Sequence, residues 1–153
     1  MNFSKAQDFM EGQILLIDKP LEWTSFDVVN KLRYHLRKKL GVKKIKVGHA
    51  GTLDPLASGV LVVCTGRATK AIERLQSDSK SYEATIRLGA TTPCLDAELP
   101  VSDWSDVHPL NSDRICKAAA AWTGKINQLP PLYSAKKIKG QKAYAVARKG
   151  GDI

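Results

Sequence analysis

Residues 46–70 read KVGHAGTLDPLASGVLVVCTGRATK and join a glycine-rich loop to a continuous apolar run. The run, residues 59–66, is bounded by glycines and is typical of a strand that is covered on both faces. The glycines of the loop permit positive φ and the close approach of a ligand. A phosphate-binding P-loop is excluded, because its Gly-Lys-Ser/Thr ending is absent. The loop holds a single carboxylate, Asp54, and the following Pro55 favours an extended backbone there.

Positive charge is concentrated in two segments of the chain. The 153 residues have a formal net charge of +9, and the segments 31–46 and 136–149 contain eight and six lysines and arginines with no acid. The segment CLDAELPVSDWSDVHPLNSD between them is acidic. Segregated positive charge is what contact with a phosphate backbone requires, so we expect a nucleic-acid partner. The alternative interpretation is two solvated faces.

The position of Asp54 beside a basic segment leaves two interpretations open. A single loop aspartate is most often a turn residue. However, a carboxylate next to a polyanion site repels the ligand, so it is an unusual choice for binding alone. Covalent or acid–base chemistry on a nucleic acid would explain its presence.

Apolar periodicity and capping residues predict alternating helices and strands. A helix is predicted over residues 23–41, capped by Thr24 or Ser25 and ended by Gly41. We predict strands over 13–20, 43–47, 59–66 and 80–89, helices over 68–76, 112–124 and 141–151, and an extended segment over 127–140. In the strand over 80–89, the side chains of Tyr82, Ala84, Ile86 and Leu88 should form a buried face. The few βαβ units predict an α+β fold with a mixed, largely antiparallel sheet and flanking helices.

The composition excludes several other classes of protein. The three cysteines, Cys64, Cys94 and Cys116, are far apart, so neither a disulfide framework nor a zinc site is expected. No apolar run approaches the roughly 18 residues of a membrane span. The first residues lack the pattern of a secretory signal, so a cytoplasmic location is expected.

Four segments, in this order along the chain, resemble the TruB-type tRNA pseudouridine synthases, which are kin of the dyskerin-type enzymes. ILLIDKPLEWTSFDVV is similar to the first motif of that family, and GHAGTLDPLASGVLVVCTGRATK to its catalytic motif. SYEATIRLGATTPCLDAE is similar to the strand and turn that follow, and QLPPLYSAKKIKGQKAYAVARKG to the Pro-Pro-x-Tyr-Ser-Ala segment. Together the four segments cover nearly the whole chain.

The resemblance implies conversion of uridine-55, in the T-loop of tRNA, to pseudouridine, without a metal or organic cofactor. The base is detached from C1′, rotated and reattached through C5, after the nucleotide has been flipped out of the stack. Asp54 stands at the position of the catalytic aspartate. Its implied role is either nucleophile, on ribose or base, or a carboxylate that drives glycosidic cleavage.

The resemblance also implies roles for residues outside the aspartate. Tyr82 would stack on the uracil, and His49 would contact the RNA and help to hold the flipped nucleotide. RNA contact or support of the catalytic loop is implied for four further residues, Lys19, Pro20, Tyr133 and Lys136. The implied partner is the T-arm of tRNA, with no metal and no membrane.

The family pattern is longer than this chain. In the family, the catalytic domain continues with a Lys-Gly-Thr-Tyr-Ile-Arg-like motif, whose arginine pairs with the catalytic aspartate, and a small C-terminal RNA-binding domain follows. We therefore expect residues 1–153 to be the N-terminal portion of a catalytic domain, with both later parts absent. One alternative is a non-catalytic RNA-binding fragment. A more remote one is a metal-dependent nuclease that uses His49, Asp54 and Asp96.

Overall fold

The computed structural model describes residues 6–129, 133, 137–138, 141–143 and 146. The chain divides into two compact units, Met1–Tyr82 and Glu83–Ile153. Helices and small antiparallel sheets are present in the described residues, which confirms the predicted α+β class.

The first unit is built on a three-stranded antiparallel sheet. Its elements are α1 (Ala6–Glu11), β1 (Ile14–Lys19), α2 (Ser25–Leu40), β2 (Val47–His49), β3 (Gly59–Thr65), a 3₁₀ helix (Gly66–Ala71) and α3 (Ile72–Gln76). The strand order is β1-β3-β2, with Lys19 opposite Gly59 and His49 opposite Val63. The apolar run of residues 59–66 therefore forms the central strand, as its composition predicts.

Helix α2 begins and ends at the predicted signals. Thr24 caps it in a capping box with Asp27, in which each side chain accepts a hydrogen bond from the backbone N–H of the other residue. Gly41, at φ 64°, ends it, and its N–H donates to the carbonyl of Arg37. The buried face of α2 packs against the sheet in one apolar core, formed by Val28, Val29, Leu36, Ile45, Val47, Leu61 and Val63.

The strand predicted over residues 43–47 lies later in the chain. β2 starts at Val47 because only Val47–His49 pair with the end of β3, at Val63–Thr65. Ile45 is buried in the core, although it lies outside the strand ladder. His49, which was expected in a loop, is therefore the last residue of a strand.

The second unit contains short elements. These are β4 (Ala90–Thr91), β5 (Asp103–Trp104), α4 (Ser112–Ala121), β6 (Lys137–Ile138) and β7 (Gln141–Lys142). β4 pairs with β5, and β6 with β7, in both cases antiparallel. The helix predicted over 112–124 is present but ends at Ala121, and the side chain of Asn111 caps its start by accepting from the N–H of Arg114. The helix predicted over 141–151 is wrong at its start, because Gln141–Lys142 pairs with β6 as a strand; Ala143 and Val146 are helical, and the rest lies outside the described residues.

The strand predicted over residues 80–89 is wrong. These residues form no strand, and Tyr82, Ile86 and Leu88 are exposed rather than buried on one face. Alternating apolar residues make a strand only when another strand pairs with them. Within the described part of the chain, no strand pairs with this segment.

Candidate functional site

The loop that carries Asp54 connects β2 to β3 and is fixed at its start by the sheet. The N–H of Ala50 donates to the carbonyl of Val62 across 2.8 Å. At the tip, the N–H of Ala57 donates to the carbonyl of Asp54 across 3.0 Å, which closes a turn. The start of the loop is therefore held to β3, and the loop closes a turn at Asp54–Ala57 before it enters β3 at Gly59.

Ser25 holds the middle of the loop against the start of α2. Its buried hydroxyl donates to the carbonyl of Leu53 across 3.1 Å and accepts from the N–H of Leu53 across 2.9 Å. Because Thr24 caps the helix, the hydroxyl of Ser25 is available for this contact. The residue before Asp54 is thus fixed through both of its backbone polar groups.

Lys19 holds the residue after Asp54. Its side chain is completely buried, and its ammonium group donates to the carbonyls of Pro20 (2.9 Å), Trp23 (2.6 Å) and Pro55 (3.5 Å). The carbonyl of Pro55 also accepts from the N–H of Glu22 across 2.8 Å. A buried ammonium group needs such acceptors, because burial without them is costly. Residues 19–25 and the loop are therefore joined at Leu53 and Pro55, on both sides of Asp54.

The side chain of Asp54 is exposed at the tip of this fixed loop. Within the described residues, no side chain donates a hydrogen bond to its carboxylate. The carboxylate is thus accessible to a ligand from solvent, while its backbone is held in place. A group that is fixed in position but free to react suits nucleophilic or general-base chemistry.

His49 lies half-buried at the end of β2, just before the loop. Its Nδ1 is hydrogen-bonded to the carbonyl of Gly51. Because a carbonyl can only accept, Nδ1 must carry the proton. In the neutral ring, Nε2 therefore remains as an acceptor for a ligand.

The structure brings together only part of the predicted site. Lys19, Pro20, His49 and Asp54 lie on the loop or on the segments that hold it. Tyr82 is 71% exposed and has no hydrogen bond or ring contact within the described residues. Tyr133 is half-buried in the second unit, and Lys136 lies outside the described residues.

No sequence pattern singles out Ser25 or Trp23 as a support of the loop. The sequence predicts Ser25 only as an alternative cap to Thr24. The presence of two adjacent hydroxyl residues is the signal that could have indicated a second role for one of them. The contribution of Trp23 comes from its backbone carbonyl, which accepts from Lys19. Any residue type can supply a backbone carbonyl, so a sequence pattern does not predict this contact.

The described residues contain no group of three histidine, cysteine, aspartate or glutamate side chains that could hold a metal ion. The cysteines are all free; Cys64 and Cys94 are buried and Cys116 is exposed. Burial raises the pKa of the Cys64 thiol, which keeps it protonated at neutral pH. None of the helices described is long and apolar enough to cross a membrane.

Comparison with known proteins gives one family. The model of the N-terminal domain of TruB family pseudouridylate synthases matches residues 37–153. A tRNA pseudouridine synthase B of Phocaeicola vulgatus is 53% identical over 146 residues, which are 95% of this chain and 62% of the relative. The proteins of the same name from Parabacteroides distasonis and Flavobacterium johnsoniae are 51% and 47% identical, over 95% and 96% of this chain and 62% and 65% of their own lengths. The chain thus spans slightly less than two thirds of these curated relatives.

Proposed function

The chain belongs to the TruB family of pseudouridylate synthases, and from this premise we propose that it forms pseudouridine in tRNA. The substrate position in the proposal is uridine-55 of the T-loop, and the T-arm is the partner. The names of the relatives support the reaction and the RNA class, and the resemblance in the sequence motifs supports the position. The cytoplasm is the proposed location.

The reaction is an isomerisation, so its atoms balance without a co-reactant. The C1′–N1 bond breaks, the uracil rotates, and a C1′–C5 bond forms. The proton leaves C5, and N1 ends with a proton. Asp54 is proposed as the carboxylate that attacks the flipped nucleotide or drives the cleavage of the glycosidic bond.

The observation that carries the proposal is the position of Asp54. Its side chain is exposed, while Leu53 before it and Pro55 after it are hydrogen-bonded to Ser25 and Lys19. A reacting group whose backbone is held before the substrate arrives has less conformational freedom left to lose in the transition state. Lys19 is therefore proposed as a support of the loop rather than as an RNA contact.

The remaining predicted residues are each proposed for a role in RNA contact or support. Nε2 of His49 is proposed to contact the RNA, since the hydrogen bond to Gly51 occupies the other ring nitrogen. Tyr82 is proposed as the stacking platform for the uracil, and its exposed ring is accessible to a base. Pro20, Tyr133 and Lys136 are proposed as support or RNA contact on the resemblance alone.

The proposal is tested by release of tritium from C5-labelled uridine in a T-arm RNA. The full product of the gene and the 153-residue chain should be assayed side by side, with an RNA labelled only at position 55. Tritium release with pseudouridine in the product RNA is expected for the full product. No release from this RNA, together with release from a second RNA that is labelled at another uridine, would overturn the proposed substrate position.

A second candidate function for the 153-residue chain is RNA binding without catalysis. The observation that favours it is the carboxylate of Asp54, which has no side-chain partner within the described residues to orient it. Salt-sensitive binding of T-arm RNA by this chain, without product, would support this function. Multiple turnover by the same chain would exclude it.

A further inference from the structure

A groove of about 600 Å³ on the first unit is lined by seven positively charged side chains. Arg33 and Arg37 of α2 form one wall, and Arg67 and Lys70 of the 3₁₀ helix form the opposite one. Three lysines from the connection between α2 and β2 lie between these walls. Among the described residues, no aspartate or glutamate lines the groove.

The three lysines are directed outward by the residues between and after them. Ile45 and Val47 are buried in the core, whereas Lys44 and Lys46 are exposed, as is Lys43. This alternation places Ile45 and Val47 on the core side and Lys44 and Lys46 on the other side, facing the groove; Lys43, just before the alternation, lines the groove as well. The arrangement therefore follows directly from the sequence KKIKV.

The groove is built on fixed backbone. The guanidinium group of Arg33 donates to the carbonyl of Val47 and to the side-chain oxygen of Asn30, both across 2.9 Å. The N–H of Gly66 donates to the carbonyl of Lys46, also across 2.9 Å. Both walls are thus tied to the lysine connection through hydrogen bonds.

Apart from the contacts of Arg33, the cationic side chains of the groove have no hydrogen bond, ion pair or ring contact within the described residues. Like charges at close range repel one another, by about 1 kcal/mol for a pair 4 Å apart in water. From Val28 to Leu53 the chain contains no acid that could neutralise them. Such a cluster is explained by an external anion.

The groove and the loop of Asp54 lie at opposite ends of the first unit. β3 begins at Gly59, next to the loop, and ends at Thr65, where the 3₁₀ helix of the groove starts. α2 begins at Ser25, which holds Leu53, and its last turn contributes Arg37 to the groove. Seven strand residues span about 20 Å, and sixteen helical residues span about 24 Å.

We propose that this groove binds the sugar–phosphate backbone of the RNA substrate at a point about 20 Å from the target uridine. The distance rests on the proposed function, because that function places the uridine at Asp54. The affinity of the groove for RNA is independent of the proposed function. Cations spread along two walls of an open groove fit a row of phosphates, each of which exchanges condensed counterions for a lysine or arginine. A single small anion would need the same groups to converge on one point.

The test compares two triple variants of equal charge. Lys43→Gln/Lys44→Gln/Lys46→Gln removes three of the seven positive charges that line the groove. Lys31→Gln/Lys38→Gln/Lys39→Gln removes three from exposed lysines of α2 that do not line it. Binding of full tRNA is measured by fluorescence anisotropy from 50 to 300 mM NaCl. The groove variant should bind about tenfold more weakly near 150 mM, with the slope of log K against log salt reduced by about 2–3. The α2 variant should change both quantities much less.

The position of the groove along the RNA is tested with a short hairpin. It carries the target loop on a stem that is too short to extend from Asp54 to the groove, about 20 Å away. Both variants should bind this hairpin as the unaltered protein does. Equal losses for the two variants on tRNA, or an equal loss on tRNA and hairpin, would overturn the proposal. So would groove-dependent binding of polyglutamate without any effect on tRNA, since this would assign the groove to an acidic protein partner.

The binding measurements are independent of catalysis, so the two proposals fail separately. Loss of tRNA affinity in the groove variant would support the groove even if no pseudouridine were formed. Pseudouridine formation with unaltered affinity in the groove variant would support the proposed function and reject the groove.

Discussion

Ser25 and Lys19 contact the loop of Asp54 only through its backbone. The hydroxyl of Ser25 bonds to both backbone polar groups of Leu53, and the ammonium group of Lys19 donates to the carbonyl of Pro55. These contacts fix the loop without occupying any of its side chains. The carboxylate of Asp54 is left for the ligand, as a reacting group requires.

Replacing Ser25 by alanine should slow the reaction as well as destabilise the fold. The two polar groups of Leu53 lose their partner, which we expect to cost about 1–3 kcal/mol in the free energy of unfolding. The single-turnover rate should fall at least tenfold at saturating RNA, because Asp54 is no longer held in position. Urea unfolding and rapid-quench kinetics measure the two effects.

Thr24→Ala is the matched control, since it removes the neighbouring hydroxyl. It loses the helix cap, at a cost of about 1 kcal/mol, but no contact with the loop. The single-turnover rate should therefore stay near that of the unaltered protein. Equal rate losses in both variants would show that the contact between Ser25 and Leu53 has no positioning role.

The roles of Thr24 and Ser25 could be predicted only in part from the sequence. Either hydroxyl fits the requirement of a helix cap, so the sequence predicts a cap and leaves its identity open. Only the path of the loop decides that Thr24 takes the cap and Ser25 the loop. Lys19 was identified through the family resemblance, but its three carbonyl partners depend on tertiary contacts that no local pattern encodes.

At the scale of elements, the end of β3 and the start of the 3₁₀ helix depend on one glycine. Gly66 has φ 51°, and a Cβ on it would lie only 2.2 Å from the carbonyl oxygen of Met10 in α1. The close approach of α1 to the 3₁₀ helix therefore requires a residue without a side chain.

Gly66→Ala should lower the free energy of unfolding by more than about 2 kcal/mol. The reason is that left-handed strain and a clash with backbone coincide at this position. Gly41→Ala is the control, because Gly41 has a similar φ of 64° but open space around the added Cβ. It should cost about 1 kcal/mol, from strain alone. Equal losses in urea unfolding would contradict the proposed packing of α1.

The capping box of α2 should make stability depend on pH. Hydrogen bonds from the side chain and backbone of Thr24 lower the pKa of Asp27 in the folded protein. The ionised form is favoured by folding, so its contribution is present above the unfolded pKa of about 3.9 and is lost as pH falls through the lower folded pKa. The difference in the free energy of unfolding between the unaltered protein and Asp27→Asn should therefore shrink between pH 5 and pH 2. A constant difference over that range would contradict the assignment.

The elements differ in how well the sequence predicts them. α2 and β3 were predicted because their signals are local: caps at both ends of the helix, and glycines around an apolar run. The strand over 80–89 was wrong because a strand also needs a partner, and the described residues supply none to it. The predicted bounds of β2 differ from the observed ones for a related reason, since the position of β3 decides which residues pair with it.

At the scale of the whole molecule, the first unit places two chemically different regions at the two ends of one sheet. The exposed carboxylate of Asp54 lies at one end, and the basic groove between Arg37 and Lys70 lies at the other. Separation by about one strand length keeps the carboxylate away from the densest positive charge. It also allows a long polyanion, but no small anion, to contact both regions at once.

The most direct test of this account compares Asp54→Asn with Asp18→Asn in the full product of the gene. Asp18 is exposed on β1, so its replacement changes the net charge equally while leaving the loop intact. Asp54→Asn should lower the rate of tritium release from uridine-55 by at least 10³-fold and leave the affinity for tRNA unchanged. The reason is that the carboxylate acts in the reaction and not in binding. Asp18→Asn should leave both unchanged. Tritium release by Asp54→Asn at the rate of the unaltered protein would contradict a catalytic role for Asp54.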